Sequence, residues 1–291
     1  MIQIIKLFTP VSSMEPKEAR QYLEGHREGT YTLLDVRQPW VYEEAHLPGA
    51  RLIPLPQLPE AYKELDPDKP TLVYCAIGGR SRVAAQVLSG LGYQEVYNLA
   101  GGIKAYQGQK ATGPHELNLT LVRGDETPVE IIVLAYGMEK GLQRFYEAMA
   151  AKTPDPELKD LCGKLAQVEE HHKQRLVKLY RQVEPGDQDL KTLEGSGPGQ
   201  VMEGGFDFND FMAKNAPLMH RVSDILELAL MLETQALDLY LRFAKRSTQD
   251  LSRQVLFSLA DEEKKHLANL GRLLEEKLGA DTRLRALQNG S

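Results

Sequence analysis

Apolar positions change their spacing near residue 110. Before it, short apolar runs alternate with helical stretches. Residues 31–36, 51–55, 71–74 and 95–99 read as strands, and 13–25 and 81–91 as helices, the first with Pro16 near its first turn. Such alternation predicts an α/β domain over residues 1–110. From residue 127 the period becomes helical, in four long patterns over about 128–152, 156–182, 216–248 and 249–279. Short joints at 152–156 and near Ser247 make each pair an antiparallel hairpin. A Gly-, Asp- and Pro-rich crossover, about 182–222 with one short helix at 206–213, joins the hairpins. Residues 111–126 lose helical periodicity and read as a linker; within it Glu116–Val122 alternates, as a strand or an extended strap would. Thr127-Pro128 then reads as an N-cap and first-turn proline.

The helical half repeats itself. Glu139 and Glu233, Tyr146 and Tyr240, Glu169 and Glu263, and His172 and His266 are each 94 residues apart, and Leu176 and Leu179 keep that register with Leu270 and Leu273. Glu139 and Glu233 fall within apolar helix faces, where a carboxylate is costly unless paired or metal-bound. Glu169 with His172, and Glu263 with His266, are spaced i, i+3 and share a helix face. A single Glu-x-x-His is usually a solvated pair; two in one register, each 30 residues after a lone helical Glu, are not a chance pattern. One Glu from each of two helices and Glu-x-x-His from the other two is the ligand set of dinuclear carboxylate centres. Four carboxylates balance two divalent ions, and mixed oxygen and imidazole donors suit iron, or manganese, over thiolate-seeking metals. Tyr146 and Tyr240, two turns beyond the single glutamates, are placed to hydrogen-bond ligand carboxylates. Glu170, His171, Glu262, Lys264 and Lys265 change character between the copies and read as surface.

In the first half the chemistry concentrates at Cys75-Ala76-Ile77-Gly78-Gly79-Arg80-Ser81. A cysteine at the end of a parallel strand, followed by glycines and a helix, meets a ring of backbone N–H groups and the positive end of the helix. Both favour a thiolate and a bound anion, and Arg80 adds a full charge. The plain alternative is a buried cysteine beside a packing turn.

Residues 9–108 resemble a single-domain rhodanese, through Leu34-Asp35-Val36-Arg37, Glu44-Ala45-His46-Leu47-Pro48-Gly49-Ala50, the Cys75–Arg80 loop and Leu99-Ala100-Gly101-Gly102-Ile103. The resemblance implies that Cys75 accepts a sulfane sulfur as a persulfide, from a donor such as thiosulfate, and passes it to a thiol or cyanide-like acceptor. Residues 76–81 would then hold the donor. Asp35, Arg37 and His46 are expected to support the fold; Tyr106 stands where many members carry tryptophan. Cysteine phosphatases place five residues between Cys and Arg; here four intervene and Ser81 occupies the phosphatase arginine position.

Residues 127–279 resemble the rubrerythrin branch of the ferritin-like superfamily, an all-α four-helix bundle with one long crossover. The resemblance implies a non-haem di-iron centre ligated by Glu139, Glu169, His172, Glu233, Glu263 and His266, reacting with peroxide or dioxygen, and a homodimer. Members can carry an extra carboxylate; Glu203 in the crossover is a candidate, although a loop glutamate beside two turn glycines is the plainer reading. No Cys-x-x-Cys pair occurs, so an external electron donor is implied. Cys162, whose repeat partner is Leu256, reads as a small core residue; a thiol near the metals is the alternative.

Composition narrows the rest. At 291 residues the chain is long enough for two cores. It is 42% hydrophobic and 26% charged, and its net charge of −6 gives no reason to expect nucleic acid. No apolar run suits a membrane span, and residues 1–10 do not read as a signal peptide. Two cysteines make no disulfide framework, which fits a cytoplasmic protein. The expected function is therefore a sulfurtransferase joined to a di-iron site, with persulfide or sulfide as a candidate electron source. The alternative is an iron-binding or ferroxidase bundle with a sulfur-sensing or docking module.

Overall fold

The computed structural model describes residues 11–184 and 200–289, with side chains to residue 278. The remainder of the crossover, 185–199, lies outside the described residues. The chain forms two compact units, Met1–Leu117 and Asn118–Ser291. Of residues 111–126, the first seven group with the first unit and the rest with the second.

The first unit is a five-stranded parallel sheet in the order β1-β5-β4-β2-β3. Its strands are β1 (Ser12–Met14), β2 (Thr32–Asp35), β3 (Arg51–Leu52), β4 (Thr71–Tyr74) and β5 (Val96–Leu99). The helices are α1 (Pro16–Gly25), α2 (Pro39–Glu44), α3 (Leu58–Ala61), α4 (Gly79–Gly90) and α5 (Gly102–Ala105). The sequence pattern places Ser13 in the first helix, but residues 12–14 form an edge strand paired with β5. Pro16, which has no N–H to give, marks the real start of α1, and Glu15 and Glu18 close a capping box there. β4 is central and buried at every residue, so a continuous apolar run needs no alternation. Its C-terminal end delivers Cys75. One core on each sheet face closes the unit.

The second unit has four long helices, α6 (Pro128–Lys152), α7 (Pro156–Val183), α9 (Val222–Arg246) and α10 (Asp250–Asn289), and a short α8 (Phe208–Asn215) in the crossover. Thr127 caps α6 in a capping box with Glu130, behind Pro128. The last hairpin's first helix begins at Val222, not at 216: Pro217 sits in a 3-10 turn, and Asp224 accepts the N–H groups of His220 and Arg221 at the true start. α6 packs on α7 and α9 on α10, as the short joints predict. Glu116–Val122 is neither strand nor strap. Asn118 adopts a left-handed conformation (φ 62°), Leu119–Leu121 form a 3-10 turn, and their leucines pack on the helical core. The alternation reflects burial without a strand partner; Arg246 binds the Leu119 carbonyl instead. No described helix is long and apolar enough to cross a membrane.

Candidate functional site

Cys75 leaves β4 buried, and the chain turns at once through Gly78, whose φ of 91° is a conformation glycine tolerates. The loop is held from outside. Cys75 and Ala76 turn their carbonyls away, to accept the N–H groups of Ile103 (2.9 Å) and Lys104 (3.1 Å) at the start of α5. A Cβ at Gly102 would overlap the Cys75 carbonyl oxygen, which gives the Gly101-Gly102 pair its purpose. With those carbonyls turned out, amides face the sulfur. Gly78 N–H donates to Sγ at 3.2 Å, and the Ser81 hydroxyl lies 3.4 Å from it.

Burial alone would raise the Cys75 pKa, but donation from the Ser81 hydroxyl and from the Ser81, Ile77 and Gly78 amides outweighs it and lowers the thiol pKa below its ordinary value. Ser81 has a single hydroxyl proton and also lies 2.7 Å from Asn98 Oδ1, so it serves one acceptor at a time; the amides serve Sγ in either case. Asn98 on β5 in turn donates to Ser13 on β1. Sequence reading missed Asn98, although a polar residue within an apolar strand was the available signal. Arg80 is exposed in the first turn of α4 and makes no hydrogen bond to Cys75; Ile77 is 68% exposed beside it. Asp35 and Arg37 form a buried ion pair, Nη2 to Oδ2 at 2.6 Å, and Arg37 also binds the Ala45 carbonyl. His46 stacks on Tyr42, with Nδ1 2.9 Å from the Tyr42 carbonyl oxygen. All three brace the loops around the site.

In the second unit the repeat becomes an approximate two-fold arrangement. Glu139 (α6) with Glu169 and His172 (α7) forms one cluster; Glu233 (α9) with Glu263 and His266 (α10) forms the other. In each, one ligand atom per residue lies within 4.8 Å of the others. His172 Nδ1 lies 2.9 Å from Glu169 and 3.3 Å from Glu139; His266 Nδ1 lies 3.1 Å from Glu263 and 3.5 Å from Glu233. The imidazoles stack at 3.7 Å and 4°. All five carboxylates of the centre are buried, including one the plainer sequence reading left in a loop. Glu203 is 1% exposed, groups with Glu139 and Glu263 across the two halves, and has no partner on either oxygen among the described residues. Its turn is a tight one, Met202 N–H to the Phe206 carbonyl at 2.7 Å and Gly204 at φ 71°.

Burial, then mutual repulsion, pushes the carboxyls of Glu169, Glu203 and Glu263 well above the usual range. Glu233 goes the other way: burial would raise it, but Glu263 and the two histidines hold it low. His172 rises, its burial outweighed by Glu139 and Glu233. Tyr146 and Tyr240 are fully buried, their hydroxyls unpartnered among the described residues, so the expected bonds to ligand carboxylates are not made here. Burial first, and then the carboxylates, keep both phenols protonated. Cys162 lies in the core beside Leu165, its thiol pushed up to about 11 by burial. Glu170 pairs with Lys173 and Glu262 with Lys265, while His171 is exposed.

Five buried carboxylates and two imidazoles, with no lysine or arginine among them, call for either protons or cations. The orphaned Glu203 oxygens and the raised carboxyls are what a site for divalent cations presents without them. The residues therefore fit divalent cations such as iron.

Comparison with known proteins agrees with this division. A family model described as Rhodanese-like domain matches residues 15–109, and one described as Rubrerythrin matches 125–200. The second match contains Glu139, Glu169 and His172; the other cluster rests on the repeat and the geometry. The uncharacterized protein YqhL of Bacillus subtilis is 41% identical over 96 residues, 33% of this chain and 75% of that one. The rhodanese-like/PpiC domain-containing protein 12 of Arabidopsis thaliana is 45% identical over 78 residues, 25% of this chain and 26% of that protein. Among solved structures, a rhodanese-related protein of Thermoplasma volcanium shares 33% identity over 33% of this chain and 89% of its own, with a TM-score of 0.30.

Proposed function

Because the chain joins a rhodanese-like domain to an iron-binding rubrerythrin domain, we propose that it is a sulfurtransferase with a second, di-iron redox site. Sulfur transfer runs through Cys75. The thiolate attacks the sulfane sulfur of a donor such as thiosulfate, the donor S–S bond breaks, and sulfite leaves with the electron pair. Cys75 keeps the sulfur as a persulfide, whose outer sulfur passes to a thiol or cyanide-like acceptor. The amides of residues 77, 78 and 81 hold the anionic sulfur throughout, and exposed Arg80 serves to attract the anionic donor.

Two iron ions held by Glu139, Glu169, His172, Glu233, Glu263 and His266, with Glu203 as a seventh ligand, supply electrons to peroxide or dioxygen when bound. The chain's own residues keep the ligands in place. The buried hydroxyls of Tyr146 and Tyr240, kept protonated, can donate hydrogen bonds into the centre. Without a Cys-x-x-Cys pair in this sequence, the electrons come from an external reductant or from the persulfide on Cys75.

The observation that carries the redox reading is the burial of five carboxylates around two stacked imidazoles. Metal analysis tests it: about two irons per chain after anaerobic ferrous loading, lost in Glu139→Ala/Glu233→Ala, followed by peroxide consumption in excess of iron. Iron oxidation without such turnover would instead favour a ferroxidase. Thiosulfate-to-cyanide transfer that survives Cys75→Ser would reject the sulfur reading.

A further inference from the structure

The imidazole side of the metal centre is open. A cavity of about 310 Å³ begins at His172, His266, Glu139 and Glu263 and runs outward between α7 and α10. Glu203, Tyr146 and Tyr240 do not line it. A hydrogen peroxide molecule needs the space of about two waters, each ~30 Å³ of liquid. This volume is several times that, at the lower end of the ~300–1,000 Å³ typical of small-molecule sites.

The lining says what kind of molecule fits. Leu176, Leu179 and Leu259 give it an apolar wall. At its rim Arg175 is ion-paired with Glu262 from helix to helix, so that cation is already neutralised. Glu139, Glu263, His172 and His266 form its polar end. The remaining rim residues, exposed Lys178, Gln182 and Ser258, leave the mouth in contact with solvent.

We propose that this cavity is the substrate pocket of the metal centre and that it takes an organic hydroperoxide, ROOH. R lies against the three leucines and the O–O end reaches the Glu139–Glu263 face. Hydroperoxides are neutral near pH 7, so an apolar wall costs them no desolvation of charge, as it would an anion such as thiosulfate. This inference rests on the peroxide reading above and extends it to a substrate class. Reduction breaks the O–O bond and consumes two protons and two electrons to release ROH and water; ferrous iron held by the cluster would supply the electrons.

Two measurements on the full chain test it. The first follows binding of 2-phenyl-2-propanol, the alcohol left by cumene hydroperoxide, to metal-free protein by ligand-observed NMR titration. The second follows single-turnover oxidation of anaerobically iron-loaded protein by cumene hydroperoxide and by hydrogen peroxide. Ser258→Trp and Gln182→Trp fill the mouth from different helices at exposed positions. Each is expected to weaken alcohol binding at least tenfold and to lower the cumene-to-hydrogen peroxide rate ratio at least tenfold. Absence of alcohol binding, or equal binding and an equal ratio in both variants, overturns the pocket. Oxidation by hydrogen peroxide but not by cumene hydroperoxide overturns this inference and leaves the peroxide reading standing. Oxidation by neither overturns the peroxide reading itself.

Discussion

At the scale of single residues, donors and acceptors decide the chemistry of both sites. The Cys75 thiolate is held by the Ser81 hydroxyl, which Asn98 shares, and by the amides of Ile77, Gly78 and Ser81. A hydrogen bond to a charged group contributes about 1.5–3 kcal/mol, and one pKa unit corresponds to about 1.4 kcal/mol. Ser81→Ala is therefore expected to raise the Cys75 pKa by up to about one unit, since Asn98 competes for the same proton. The pH dependence of iodoacetamide alkylation measures this; an unmoved inflection would mean that the amides do all the work. Glu203 shows the opposite electrostatic case. Its carboxylate is buried with no donor among the described residues and with Glu139 beside it, an arrangement stabilised by a proton or a cation.

At the scale of elements, the crossover turn matters as much as the helices. Gly141 on α6 lets it approach: a Cβ there would lie 2.5 Å from the Val201 carbonyl oxygen and 2.9 Å from Met202 Cα. Replacing a helical glycine with alanine favours the helix by about 1 kcal/mol, so Gly141→Ala leaves α6 intact while pushing back the turn that carries Glu203. The expected result is at least a tenfold loss of iron affinity by calorimetric titration, with six of the seven ligands untouched. Unchanged affinity would show that Glu203 takes no part in binding. The Gly101-Gly102 turn acts in the same way on the sulfur loop, because it allows α5 to grip the Cys75 and Ala76 carbonyls.

At the scale of the whole molecule, each unit has its own hydrophobic cores among the described residues. Cys75→Ser is accordingly expected to leave iron content unchanged, and Glu139→Ala/Glu233→Ala to leave sulfur transfer within about twofold; elemental analysis and a thiosulfate assay check both. The metal centre also sets a pH dependence. Glu169, Glu203 and Glu263 have folded pKa values raised above the unfolded ~4.3. Between those values the folded state binds more protons, so stability falls as pH rises; Glu233, shifted down, opposes this only in part. The melting temperature of the metal-free helical unit should thus be higher near pH 5 than near pH 8. Iron loading should reverse the trend, because the ligands must release their protons to bind. Calorimetric melts of both forms across that range decide it, and a flat profile for the metal-free protein would contradict it.

The sequence by itself determined which residues stand in register. The 94-residue repeat, the Glu-x-x-His spacing, the strand that ends in Cys75 and the change of period near residue 110 are all one-dimensional facts, and local geometry turns them directly into faces of helices and ends of strands. Element ends were less legible: Ser13 falls in an edge strand and Leu119–Leu121 in a 3-10 turn, because pairing with β5 and packing on a helical core override local pattern. Tertiary structure alone decided three further things. Glu203 reaches the centre from a turn with no periodicity to announce it. Asn98 joins the Cys75 loop through sheet order, which no local pattern encodes. The cavity beside His172 and His266 is the space left between two helices. Each depends on which elements become neighbours, and that is settled only when the cores close.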